Sequence, residues 1–112
     1  MTDTFTEGEA VAIVARLTLA RLAMFLDAGL VMPVPVPDGC TFRRIDLARL
    51  ELLCDLSDSF DLDSDALGVV ISLIDQLHEA RHGLRAMAEA LDAEPEELRS
   101  RVGARVIGIL TR

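Results

Sequence analysis

The sequence predicts a mainly α-helical protein with one small β ribbon and a long helical arm. Three observations carry that expectation. From Phe42 to Leu91 the chain holds a leucine-rich helix, an acidic turn and a long helix with no breaker except Gly68 and Gly83. Within the long helix, Leu67, Val70, Ile74, Leu77, Arg81, Leu84, Ala88 and Leu91 recur at alternating spacings of three and four. That is a heptad seam, apolar everywhere except Arg81. Ahead of these helices, Pro33-Val34-Pro35-Val36-Pro37 alternates proline with valine, a pattern that neither a helix nor a central strand accepts.

Taken in order, the elements justify themselves locally. Thr6 and Glu9 fit a capping box, in which each side chain satisfies the other residue's free backbone donor, and they open a short helix through about Val14. Thr18 caps a second helix that places Leu19, Leu22, Phe25 and Leu26 on one face. Gly29 ends that helix by taking the left-handed conformation, so the two form a helix-turn-helix unit. The proline–valine run then turns at Asp38-Gly39 and returns through Cys40-Thr41-Phe42 as a two-stranded wing.

Asp46 is expected to cap a third helix carrying Leu47, Leu50, Leu53, Cys54 and, on a broadened face, Leu52 and Leu56. Asp58 through Asp65 reads as the acidic turn, with Ser64 or Asp63 capping the long helix. The first half of that helix, widened by Val69, Ile71 and Leu73, suits packing within the chain. The narrower half, with Leu77, Leu84, Ala88 and Leu91, suits a dimer seam or the last helix, and a homodimer is expected. Glu94-Pro95-Glu96-Glu97 restarts a helix with Leu98, Val102, Val106 and Ile109 on one side. Gly103 and Gly108 weaken it, so it needs docking. The expected organisation is residues 1–65 followed by an arm over 66–112, within a single structural domain.

Composition narrows the function. At 112 residues the chain makes one domain, and half of it is apolar, enough to fold. No apolar run reaches bilayer length and no basic-then-apolar leader opens the sequence, so a cytoplasmic protein without membrane contact is expected. Cys40 and Cys54 lack CxxC spacing and read as reduced thiols. The net charge of −8 repels a polyphosphate and suits a basic partner. All eleven basic residues are arginine, and with no Trp, no Tyr and four Phe, base-stacking platforms are scarce.

The order of helix-turn-helix, proline-bearing wing, third helix and helical arm resembles the MerR-like family. The resemblance rests on Arg21-Leu22-Ala23-Met24-Phe25-Leu26-Asp27-Ala28-Gly29-Leu30, Asp38-Gly39 in the wing, and Asp46-Leu47-Ala48-Arg49-Leu50. DNA-binding members carry an arginine and aromatics after the leucine of the second helix, where this chain has Ala23 and Met24. A closer similarity is to the chaperone-modulator, CbpM-like branch. It runs through Phe25 to Met32, Phe42-Arg43-Arg44-Ile45-Asp46, Leu62-Asp63, Ala66-Leu67, Leu73-Ile74-Asp75, Leu84 and Leu91, and covers about residues 5 to 91.

That resemblance implies an all-α (mainly helical), MerR-like winged helix-turn-helix with a small two-stranded wing and a long helical arm. It implies a non-enzymatic protein that binds and inhibits the J-domain of a CbpA/DnaJ-type co-chaperone. A J-domain engages its chaperone partner through a basic helix, and Glu51, Asp55, Asp58, Asp61, Asp63 and Asp65 form an acidic patch that suits it. Phe60 or Leu62 would anchor such an interface. The bland account is a solvated turn that caps a helix and keeps the protein soluble. The competing function is a MerR-like DNA-binding regulator.

Two motifs point elsewhere. His78-Glu79-Ala80-Arg81-His82 spells HExxH, which on a helix sets two histidines one turn apart with Glu79 as a base, the signature of a small zinc hydrolase. A third ligand would have to come from Glu94, Glu96 or Glu97, none of them in a second motif, so no metal or cofactor is expected. Asp61-Leu62-Asp63-Ser64-Asp65 begins like a calcium loop, yet Ala66 and Ser72 stand where glycine and glutamate are required. There is no G-x-S-x-G, P-loop or dinucleotide fingerprint.

Overall fold

The computed structural model describes residues 4–112. Its elements run β1 (Thr4–Phe5), α1 (Glu7–Ile13), α2 (Leu19–Asp27), β2 (Val34–Val36), β3 (Gly39–Arg43), α3 (Arg44–Phe60), α4 (Ser64–Asp92) and α5 (Glu96–Leu110). The chain divides into two compact units, one ending at Leu73 and one from Ile74 to Arg112. The division falls inside α4, eight residues beyond the boundary expected from the sequence.

In the first unit the local signals act as read. Thr6 Oγ1 accepts from the Glu9 N–H at 3.2 Å, and Glu9 Oε1 accepts from the Thr6 N–H at 3.0 Å, closing the box that starts α1. Thr18 Oγ1 accepts from the Arg21 N–H at 3.1 Å and starts α2. Gly29, with φ of +70°, turns the chain out of α2, and the Leu30 N–H returns to the Phe25 carbonyl at 3.0 Å. The expected hairpin forms between β2 and β3, with Val34 opposite Thr41, Pro35 opposite Cys40 and Val36 opposite Gly39.

Four expectations are corrected here. The wing is not two-stranded: β1 pairs antiparallel with the other side of β3, Thr4 against Arg43 and Phe5 against Phe42, giving the order β1-β3-β2. Asp46 does not stand at the N-cap of α3 but one turn inside it. Its carboxylate accepts from the Arg43 N–H at 2.8 Å and from the Arg43 guanidinium at 3.1 Å, closing the helix start from within. Leu19 does not join the core; it is 63% exposed while Leu22 and Phe25 are buried, because the buried side of α2 is rotated away from it. The acidic turn is shorter than read, since α3 runs through Asp58 and Ser59 to Phe60 and only residues 61–63 connect to α4.

The core of this unit brings together Ala10, Leu22, Phe25, Leu30, Val31, Phe42, Leu47, Leu50, Leu53, Cys54, Leu67 and Ile71, all buried. β3 carries Phe42 into it and touches both α1 and α3. Arg49 Nε donates to the Leu30 carbonyl at 2.6 Å, tying α3 to the loop after α2. The first turns of α4 run past that loop: a Cβ on Gly68 would lie 3.8 Å from Leu30 Cδ2. Val69 and Leu73, read as widening the packed face of α4, are instead exposed.

The second unit has a different character. From Leu77 to Arg112 no described residue is buried, and only Leu91, Val102 and Gly103 are half-buried. Pro95 stands at the N-cap of α5, Glu96 and Glu97 occupy its first turn, and the helix continues through Gly103 and Gly108 without a break.

Far-UV circular dichroism during chemical denaturation checks the packing account. Phe42→Ala, at a site with no exposed surface, should cost about 3–5 kcal/mol. Gly29→Ala, in open space but at positive φ, should cost about 1 kcal/mol.

Candidate functional site

Three surfaces hold the residues singled out by the sequence. The first is the acidic side of α3. Asp55 and Asp58 stand one turn apart there, and Glu51 lies one turn before them. The sequence from Leu50 to Ser64 contains no basic residue, but the fold supplies two, Arg16 from the turn between α1 and α2 and Arg21 from the first turn of α2. Arg16 pairs with Asp55, and its second nitrogen lies 3.4 Å from Asp58. Arg21 grips Asp58 with both nitrogens, at 2.6 and 3.3 Å, and also donates to the Arg16 carbonyl at 3.2 Å.

The result is a closed cluster of two guanidinium groups and two carboxylates. Arg16 itself sits at φ of +69°, a left-handed conformation unfavourable for a residue with a Cβ, and the hydrogen bond from Arg21 to its carbonyl holds it there. Arg21 holds the Asp58 carboxyl below its ordinary value through their hydrogen bond, against a smaller opposing effect of desolvation. The same hydrogen bond raises Arg21 above its usual range.

The acidic patch is therefore not one continuous field. Asp55 and Asp58 are neutralised by arginines, and Asp63 caps α4, its carboxylate accepting from the Ala66 N–H at 2.9 Å. Asp61 makes the turn in a left-handed conformation. Glu51, Asp61 and Asp65 are left without an ion pair among the described residues. Of the two expected anchors, Phe60 is 67% exposed at the end of α3 and Leu62 is half-buried.

The second surface is the outward side of α2, which sequence reasoning did not single out. Leu19, Ala20, Ala23, Met24 and Asp27 recur there at helical spacing and all are exposed. The signal was present in the sequence: a helix with Leu22 and Phe25 in the core must turn Ala20, Ala23 and Met24 outward.

The third surface is the seam of the arm. Leu77, Leu84 and Ala88 are exposed and Leu91 is half-buried, so among the described residues no side chain of this stripe is fully buried. His78 and His82 stand exposed beside it, and no three His, Cys, Asp or Glu side chains converge as metal ligands among the described residues.

The cysteines are both free thiols. Burial pushes the Cys54 thiol up, against a smaller lowering by Arg21. Burial also raises Cys40, whose Sγ lies 3.4 Å from Glu7 Oε1 between the wing turn and the start of α1. Both are thus kept protonated near neutral pH, the weakly nucleophilic state.

Set against known proteins, the chain matches no family model, no curated protein and no solved structure.

The Arg21–Asp58 pair makes a pH prediction. A carboxyl held low in the folded state contributes fully above its unfolded value, near pH ~4, and loses that contribution as pH falls through the lowered value. Arg21→Gln should return the Asp58 carboxyl to the ordinary range in a carbon-detected NMR titration and shift acid unfolding to higher pH. Asp58→Asn should abolish the titration and leave the Arg16–Asp55 pair in place.

Proposed function

We propose that this chain is a non-enzymatic chaperone modulator that acts in the cytoplasm. On this reading it has a MerR-like winged helix-turn-helix scaffold and is a homodimer through its arm. It binds the J-domain of a CbpA/DnaJ-type co-chaperone and withholds that domain's basic helix from the chaperone it serves. One observation carries the reading: the first unit has no arginine to spare. Arg16 and Arg21 are bound to Asp55 and Asp58, Arg43 to Asp46, and Arg49 to the Leu30 carbonyl, while Arg44 also has a partner.

Charge distribution supports it further. Up to Leu73 the sequence holds twelve carboxylate residues against five arginines, so seven of the eight net negative charges fall in that part. A surface of this sign attracts a basic helix and speeds its encounter, with apolar contacts left to supply the lasting affinity. A DNA-binding regulator on the same scaffold needs cations free to contact phosphates, and the two on the helix pair are already engaged.

The arm supports the dimer. An α4 of 29 residues extends about 43 Å, and beyond Ile74 it has no buried side chain to hold it. Helical stability in proteins comes chiefly from packing of an apolar face. Pairing Leu77, Leu84, Ala88 and Leu91 with the same residues of a second copy supplies that packing.

Size-exclusion chromatography with light scattering and refractive-index detection tests both parts. The free protein should run at twice the chain mass, and Leu77→Glu with Leu84→Glu should reduce it to the chain mass. Addition of the J-domain of a CbpA-like protein from the same source should give a stable heavier complex. Its association rate should fall by about tenfold or more between low and high salt. No complex with a folded, authentic J-domain rejects the chaperone reading, and salt-sensitive binding to duplex DNA would replace it with the regulator.

A further inference from the structure

We infer that the outward face of α2 is the docking ridge of this protein, and that it receives an amphipathic helix whose apolar stripe is flanked by basic residues. The inference rests on the chaperone-modulator reading and names the contact surface that reading leaves open.

The ridge is defined by geometry. Leu22 and Phe25 are buried at 1% and 0% exposure, which fixes the rotation of α2 and turns Leu19, Ala20, Ala23 and Met24 outward. Leu19 is 63% and Met24 41% exposed on a helix of nine residues. Two large apolar side chains therefore bracket two alanines. Small residues let a second helix approach to the short end of the usual interaxial range, about 8 Å, while the flanking Leu and Met grip its sides.

Charge says which helix fits. The single charged residue on this face is Asp27, in the last turn of α2, where the negative pole of the helix also lies and no basic residue offsets it. At the edge of the face, Arg21 is turned away into its pair with Asp58, so no cation borders the ridge from that side. A DNA phosphate placed at the Asp27 end would meet apolar side chains, a carboxylate and the negative pole of the helix. Two copies of the face would bring no cation to Asp27. A helix with an apolar stripe flanked by Lys or Arg satisfies both the ridge and its negative end.

The test is calorimetric titration of the full chain with the same J-domain. Leu19→Ser with Met24→Ser should weaken binding by about tenfold or more. Ala23→Arg, which adds bulk and a cation at the centre of the ridge, should abolish it. Both changes fall at exposed positions, so helix content by circular dichroism should stay at the level of the unmodified protein.

The outcomes separate cleanly. If the unmodified chain does not bind, the chaperone reading and the ridge fall together. If it binds and both variants bind equally well, the ridge is overturned and the chaperone reading stands, with Glu51, Asp61 and Asp65 as the contact. If the variants change the mass of the free protein by light scattering, the face is a self-association surface and the inference is wrong.

Discussion

Arg21 carries two obligations at once, and much of the first unit follows from how it meets them. Its guanidinium binds the Asp58 carboxylate with two nitrogens and reaches back to the carbonyl of Arg16. The turn between α1 and α2 is thereby fastened to α3, and Arg16 is kept in a backbone conformation it would otherwise avoid. Pairs this exposed contribute little to stability on their own; the buried cluster around Phe25, Phe42, Leu50 and Leu53 does that. What the cluster decides is the electrostatic identity of the surface. A helix pair with two arginines could face a polyanion, but here both arginines are paired at the surface with the protein's own acids.

The contrast between what the sequence revealed and what it hid is one of range. Thr6 with Glu9, Thr18, Gly29 and the Asp38-Gly39 turn were legible because each acts on a backbone group within five residues. The arginine–aspartate cluster was not, since its partners are separated by 39 and 37 residues and no local pattern announces them. Asp46 was misplaced by one turn because a carboxylate suits both the cap and the first turn of a helix, and only the extended backbone at Arg43 decides between them. Leu19 was misassigned because three leucines and a phenylalanine within eight positions allow more than one apolar face on a short helix. β1 escaped notice because two residues before a cap offer no alternation to read.

The candidate site shows the same division. Six acidic residues lie close together in the sequence, yet their tasks in the fold are unlike. Two are neutralised, one caps α4, one forms a turn, and Glu51 and Asp65 remain as solvent-facing charge. The apolar ridge on α2 was implicit in the spacing of Leu22 and Phe25, but it emerges only once the buried side of the helix is fixed. In the arm the periodicity is legible in the sequence, and the structure adds that Leu77, Leu84 and Ala88 of that stripe are exposed and Leu91 half-buried.

The hairpin of β2 and β3 has a further consequence. A two-residue turn makes Val36 and Gly39 the first hydrogen-bonded pair, and alternation then directs the N–H groups of Val34 and Val36 toward β3. The outward position within β2 falls to Pro35, with Pro33 and Pro37 directly flanking the strand, and none of the three has an N–H to offer. The free rim is therefore sealed against strand addition, both by another copy and by an extended peptide. Among the described residues eighteen large apolar side chains are open to solvent, and a long bare strand edge beside them would add a template for aggregation. With the β2 rim closed in this way, strand addition from that side is disfavoured, and the two-residue β1 leaves only a short edge on the other side of the sheet.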